Sequence, residues 1–180
     1  VTVKRNDKIE PEQCTDYDLI FLSPGPGTPD KAGNLMQIIQ HCAGKVPMFG
    51  ICLGHQAIAQ HAGGLLINLE QVYHGIQSEV SLVSEPSILF TNLTETIKAG
   101  RYHSWIVGEL PSSSSLKVTA RGFDKSIMAI EDHDNGLFGL QFHPESVLTP
   151  DGKTIIQNFI QAYQTSLTEI SNEKNTETPV

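Results

Sequence analysis

Residues 46–64 read VPMFGICLGHQAIAQHAGG, and this stretch decides the fold. Its first part, VPMFGI, is an unbroken apolar run of strand length, the pattern of a strand covered on both faces of a parallel sheet. Its second part sets Leu53, Ala57, Ile58 and Ala62 at helical spacing and stops at Gly63-Gly64. A strand passing directly into a helix is the repeating unit of an α/β domain. At the junction lies Gly50-Ile51-Cys52-Leu53-Gly54, a cysteine with a glycine two residues away on each side.

The alternation extends upstream. VTV, residues 1–3, reads as a short β-branched strand. Leu19 to Leu22 form a second buried strand that runs into the loop SPGPGTPD. NLMQIIQHCA then places Leu35, Ile38, Ile39 and Cys42 on one helical face. Downstream, residues 65–142 break into the short strands LLINL, SEVSLV, LKVTARG, SIMAIEDH and LFGLQFH, some of them antiparallel. DNG at 134–136 is a hairpin turn before the strand that ends at His143. A last helix runs from about Lys153 to Gln164, with Ile155, Ile156, Phe159, Ile160 and Tyr163 as its apolar stripe. Residues 165–180 are polar and lose periodicity after Leu167, which predicts a disordered tail behind a single domain over 1–164.

Composition narrows the function. The 180 residues, 39% hydrophobic and 18% charged, suit one globular domain with its own core. A net charge of −8 argues against nucleic-acid or anionic-membrane binding. No apolar run approaches the ~18 residues of a membrane span, and VTVKRNDKIE carries charges where a signal peptide would be apolar. Cysteines 14, 42 and 52 form neither a disulfide framework nor a zinc spacing, which fits a cytoplasmic setting. Cys14 and Cys42 read as small buried hydrophobes.

Cys52 reads differently. Strand, G-x-C-x-G, helix is the cysteine form of a nucleophile elbow. The glycines let the chain turn sharply, the Leu53 N–H points toward an oxyanion, and the positive helix end favours thiolate, which predicts a lowered thiol pKa. The alternative is a tight turn around a buried cysteine. A nucleophile needs a base and the base needs an orienting group. Of seven histidines, His143 stands at a strand end stopped by Pro144, with Glu145 two residues on to hold its ring. His74 and His103 remain possible lining residues. Ligand sites form at the carboxyl ends of parallel strands, where Cys52, His143 and the SPGPG loop (23–27) would meet. That loop's N–H groups could complete an oxyanion hole with Leu53. It lacks the spacing of a phosphate or dinucleotide loop, so nucleotide binding is rejected.

SPGPG, GICLGHQ and QFHPES together, in this order, resemble the three signatures of class I, triad-type glutamine amidotransferases, over roughly residues 1–164. VKRND and RYHSW resemble the second component of anthranilate synthase and of its close relative aminodeoxychorismate synthase, and NLEQVYHG and GRYHSW incline toward the anthranilate synthase branch. The resemblance implies a three-layer sandwich, with a mostly parallel central sheet plus a small antiparallel sheet. It implies Cys52 as nucleophile, His143 as acid and base, and Glu145 as the orienting carboxylate. Gly25, Pro26, Gly27 and Leu53 would line the oxyanion site. Gln56, Ser104 and Trp105 would hold substrate L-glutamine. A γ-glutamyl thioester would form and be hydrolysed, and ammonia would pass to a chorismate-using synthase subunit in a heterodimer or heterotetramer. No cofactor is expected in this subunit; Mg²⁺ would belong to the partner. Against the family pattern the first βα unit, about 25–30 residues, is missing, which predicts a gap and unpaired strand edges. Rival readings are the amidotransferase component of a different synthetase, a partner-independent γ-glutamyl hydrolase, and a catalytically impaired binding or regulatory subunit.

Overall fold

The computed structural model describes residues 1–83 and 86–176, with side chains as far as Gln164. In chain order the strands are β1 (Ile20–Leu22), β2 (Met48–Ile51), β3 (Leu65–Asn68), β4 (Ile76–Leu82), β5 (Thr96–Arg101), β6 (Trp105–Glu109), β7 (Lys117–Gly122), β8 (Ile127–Asp132) and β9 (Leu137–Leu140). The α-helices are α1 (Leu35–Cys42), α2 (Leu53–His61) and α3 (Gly152–Thr176).

Seven strands form one sheet in the order β1-β2-β9-β8-β7-β4-β5, and β3 pairs with β6 in a small antiparallel sheet. The parallel part is confined to β1-β2-β9. The remaining pairings of the large sheet are antiparallel, so it is mixed rather than mostly parallel. The reason is local: the 134–136 turn joins β8 to β9 as a hairpin, with Gly136 at φ 65° and Asp132 accepting from Asn135, and a hairpin imposes antiparallel pairing.

Alternation along β2 separates the layers. Met48 packs with Ile38, Ile39 and Cys42 of α1 and Ala57 and Ile58 of α2. Phe49, its neighbour, packs on the opposite face with Phe138 of β9 and Ile155 and Phe159 of α3. The Phe159 ring lies 5.0 Å from Phe49 and 5.3 Å from Phe138, centroid to centroid. Helices on both faces of the sheet give the three-layer sandwich. Truncating a buried aromatic such as Phe159 to Ala would cost about 3–5 kcal/mol.

Several elements differ from the sequence reading. VTV is not a strand. Val1 and Val3 are exposed and pair with nothing among the described residues, and β propensity has no effect without a pleated neighbour. β1 is an edge strand, paired only with β2. Strands β5 and β6 were not foreseen. The last helix continues past Gln164 to Thr176, because no glycine or proline interrupts residues 153–176. Of the expected 165–180 tail, residues 177–180 lie outside the described residues. No helix among the described residues is long and apolar enough to cross a membrane.

The large sheet curls. β5 is one of its edges, yet the Gly100 carbonyl in β5 accepts from the His143 N–H beyond β9 at 3.0 Å. Thr149 Oγ1 locks the closure, accepting from the Gly100 N–H at 2.9 Å and donating to the His143 carbonyl at 2.7 Å. The curl brings the end of β5 and the start of β6, residues 101–105, against the ends of the parallel strands.

Candidate active site

In the parallel register Leu22 pairs with Gly50, and Ile51 with Leu140. The chain therefore leaves β1, β2 and β9 at one level, delivering Ser23, Cys52 and Gln141 to the same edge. The Cys52 N–H donates to the Leu140 carbonyl at 2.7 Å.

Cys52 joins β2 to α2 with φ 52° and ψ −98°. This is a sparsely populated backbone for an L-residue, costing about 1–3 kcal/mol. The glycines on either side act by a different route from the one predicted. Neither has a positive φ; both are needed for space. A β-carbon on Gly50 would stand 2.6 Å from the His55 nitrogen, and one on Gly54 would stand 2.8 Å from Leu22 Cβ and run into the Leu22 carbonyl. The helix is thus pressed onto β1 and β2, and the strained turn falls on the cysteine itself. Gly139 likewise lets His55 pack close, with 2.8 Å between its absent β-carbon and Nδ1. Burial holds His55 neutral, pushing it down to about 3.

The sulfur sits in a buried pocket of hydrogen-bond donors. Gln141 Nε2 donates to Cys52 Sγ at 3.7 Å, and the Leu53 N–H also donates toward it. Burial nevertheless pushes the thiol up to about 11, with the charge of Glu145 adding to the rise against those two donors. The expected lowering by the helix end is outweighed by desolvation. Cys52 rests as a thiol and needs a base.

His143, the base expected from the sequence, has its expected carboxylate beside it. Its Nδ1 is 2.7 Å from Glu145 Oε1, leaving Nε2 as the free nitrogen of the neutral ring when Nδ1 donates. Nε2 is buried and makes no hydrogen bond among the described residues. The Tyr102 ring lies over the imidazole at 4.9 Å, and its hydroxyl is 3.0 Å from Ser146 Oγ. In the 23–27 loop, Gly25 lies so close to Leu53 that a β-carbon would be 2.8 Å from Leu53 Cδ2. Gly27 takes φ 79°. Pro26 has no N–H, so within 23–27 it shapes the loop without donating.

Gln56, expected as a substrate contact, has its amide nitrogen tied into the site's own hydrogen bonds. It is buried, and its Nε2 donates to the Trp105 carbonyl at 2.9 Å and to Gln141 Oε1 at 3.2 Å. The Ser104 carbonyl accepts from the Leu69 N–H at 2.7 Å. The carbonyls of Ser104 and Trp105 are both tied into the fold, that of Trp105 through Gln56. The segment that carries them hangs on Arg101, which was not singled out in the sequence. Its buried guanidinium donates to Asp124 Oδ2 at 2.9 Å, meets His103 Nε2 at 3.2 Å from Nε, and covers the Tyr73 ring at 3.6 Å. Burial and the adjacent cation lower His103 to about 4. Gln141 was also missed, although a lone amide in the run LFGLQF was a visible signal, since a buried polar group needs partners.

Cys14 and Cys42 are buried, donate to the backbone carbonyls of Glu10 and Pro11, and hydrogen-bond to each other, as expected of structural thiols. Among the described residues no group of three or more His, Cys, Asp or Glu could hold a metal ion.

A family model described as Glutamine amidotransferase class-I matches residues 1–162. The chain is 42% identical over 166 residues to an aminodeoxychorismate/anthranilate synthase component 2 of Bacillus subtilis, covering 91% of this chain and 84% of that protein. It is 40% identical over 173 residues to anthranilate synthase component 2 of Lactococcus lactis, covering 96% of this chain and 86% of the other. A solved Thermoplasma acidophilum structure, provisionally assigned to GMP synthase, superimposes with TM-score 0.79 at 26% identity, over 93% of this chain and 82% of its own.

Proposed function

The chain belongs to the glutamine amidotransferase class-I family, and we propose that it is the glutaminase half of a two-component, chorismate-using synthase, with Cys52, His143 and Glu145 as its catalytic set. The observation that carries the reading is the strained backbone of Cys52 at the β2–α2 junction, which points a single buried thiol into a pocket of donors. Anthranilate synthase is the first assignment. Aminodeoxychorismate synthase is the second, and the double name of the Bacillus subtilis relative keeps both open.

The reaction then runs as acyl transfer. His143 Nε2 takes the Cys52 proton, and the sulfur attacks the side-chain amide carbon of L-glutamine. The Leu53 N–H, with the glycine loop opposite, receives the developing oxyanion. The imidazolium, steadied by Glu145, protonates the leaving nitrogen, and ammonia departs from a γ-glutamyl thioester. Water, deprotonated by the same imidazole, releases glutamate and restores the thiol. Ammonia passes to the partner synthase, in a heterodimer or heterotetramer. No cofactor enters these steps, and Mg²⁺ would belong to the partner. A cytoplasmic setting accords with three unpaired cysteines.

The test is Cys52→Ala in the chain recombined with a synthase component. Glutamine-dependent product should vanish while ammonia-dependent product persists. Retained use of glutamine would overturn the assignment.

A further inference from the structure

The amide beside the sulfur is oriented, and its orientation can be deduced. The Trp105 carbonyl can only accept, so the group of Gln56 that meets it at 2.9 Å is its NH₂. The same NH₂ reaches Gln141 at 3.2 Å, so Gln141 must accept there with Oε1. Its own NH₂ is thereby turned to Cys52 Sγ, 3.7 Å away. Gln56 and Gln141 are both buried, and among the described residues no other hydrogen bond of either side chain competes with this chain of donors.

We propose that Gln141 is a further catalytic residue of the site: its amide N–H donates to the Cys52 sulfur and stabilises the thiolate, and Gln56 is the positioning residue that holds the amide in that sense. A thiol is a weak acceptor and a thiolate a strong one, so the bond tightens as the proton leaves. The inference rests on the glutaminase reading for the use made of the thiolate, not for the geometry. It also gives Gln56 a different task from direct substrate contact. Through Trp105 the relay ends on the segment expected to hold glutamine, so the nucleophile and the substrate wall share one hydrogen-bond chain.

The test is the pH dependence of Cys52 alkylation by iodoacetamide in the full chain, followed peptide by peptide to separate Cys52 from Cys14 and Cys42. Glu145 is the charged group that reaches the sulfur, and it stays intact with His143 in every variant. Gln141→Met keeps the length and removes the donor. It should move the curve to higher pH and slow alkylation about tenfold at any pH below the midpoint. Gln56→Met should move it the same way by less, and Gln141→Glu by more. Curves for Gln141→Met and Gln56→Met that superimpose on the native one would overturn the proposal. If Gln141→Met does not fold, Gln56→Met decides alone. Alkylation requires no glutamine turnover, so a failed glutaminase assay leaves this result standing and the reverse also holds.

Discussion

Gly54 rests on Leu22: the first turn of α2 touches the last residue of β1 through main chain, with room for no side chain between them. A β-carbon at 54 would lie 2.8 Å from Leu22 Cβ, closer than real β-carbons approach. Neither backbone can move aside without shifting the elbow. Gly54→Ala should therefore cost about 1–3 kcal/mol, a loss of several degrees in Tm, and reduce glutaminase activity along with it. Gly25→Ala is the contrast, because its obstacle is the end of the Leu53 side chain, which can rotate. Thermal melts of the two variants should rank Gly54 well below Gly25; equal midpoints would contradict the close-contact role.

The same comparison shows what could be read in advance. The strand, the cysteine turn and α2 were legible in residues 46–64, because apolar period and glycine spacing are local signals. His143 and Glu145 were legible because Pro144 signals a break after the apolar run, although β9 itself stops at Leu140, three residues before the expected strand end at His143. The reason for the glycines was not: sequence spacing suggests a flexible turn, whereas the structure uses the missing side chains as clearance. Strands β5 and β6, the curl that carries Gly100 to His143, and the Gln56–Gln141 and Arg101–Asp124 pairs were illegible for a different reason. Each depends on partners far apart in the chain, and neither member advertises the other. The thiol of Cys52 illustrates the limit most clearly, since the helix end is a local feature and the burial that outweighs it is a property of the finished fold.

Glu145 stands half-exposed, 51% by its side chain, yet among the described residues it is the only side-chain partner of His143 Nδ1. Glu145→Gln should leave stability nearly unchanged, since a surface pair contributes little. It should lower the glutamine-dependent rate by about 10²–10⁴-fold, the span of a compromised general base. Ammonia-dependent synthesis by the recombined pair should be untouched. Steady-state rates with each nitrogen source check this, and equal losses with both would place the defect in assembly instead.

Arg101 and Asp124 set an acid limit. Burial works to raise the Asp124 carboxyl, but bonds from Ser126 and Arg101 outweigh it and bring it to about 2, from an ordinary 3.8. A carboxyl lowered by folding stabilises the fold above its ordinary pKa, and that contribution is lost as pH falls from about 4 to about 2. Asp124→Asn removes it. The native chain should be the more stable at pH 7, and the gap in urea midpoint should close between pH 4 and pH 2. A gap that persists undiminished at pH 2 would show that the pair's charge is not what stabilises. The same variant should loosen residues 101–105 and raise KM for glutamine.

Cys52 sets the alkaline limit. Desolvation lifts the thiol; the Leu53 N–H pulls it back, Glu145 adds to the rise, Gln141 opposes it, and the outcome is about 11. An unfolded cysteine titrates near ~8.5. Folding thus favours the neutral thiol, and this contribution is complete below that value and disappears as pH rises through 11. Cys42 is likewise raised to about 11, so the Cys52 share is isolated by comparing the native chain with Cys52→Ser, which keeps Cys42 and does not titrate at 52. The stability difference should shift against the native chain between about pH 9 and 11. In the free chain, alkylation of Cys52 should still be accelerating at pH 10. A plateau by pH 8 would mean that the fold holds a resting thiolate, and with it that His143 need not take the proton before attack.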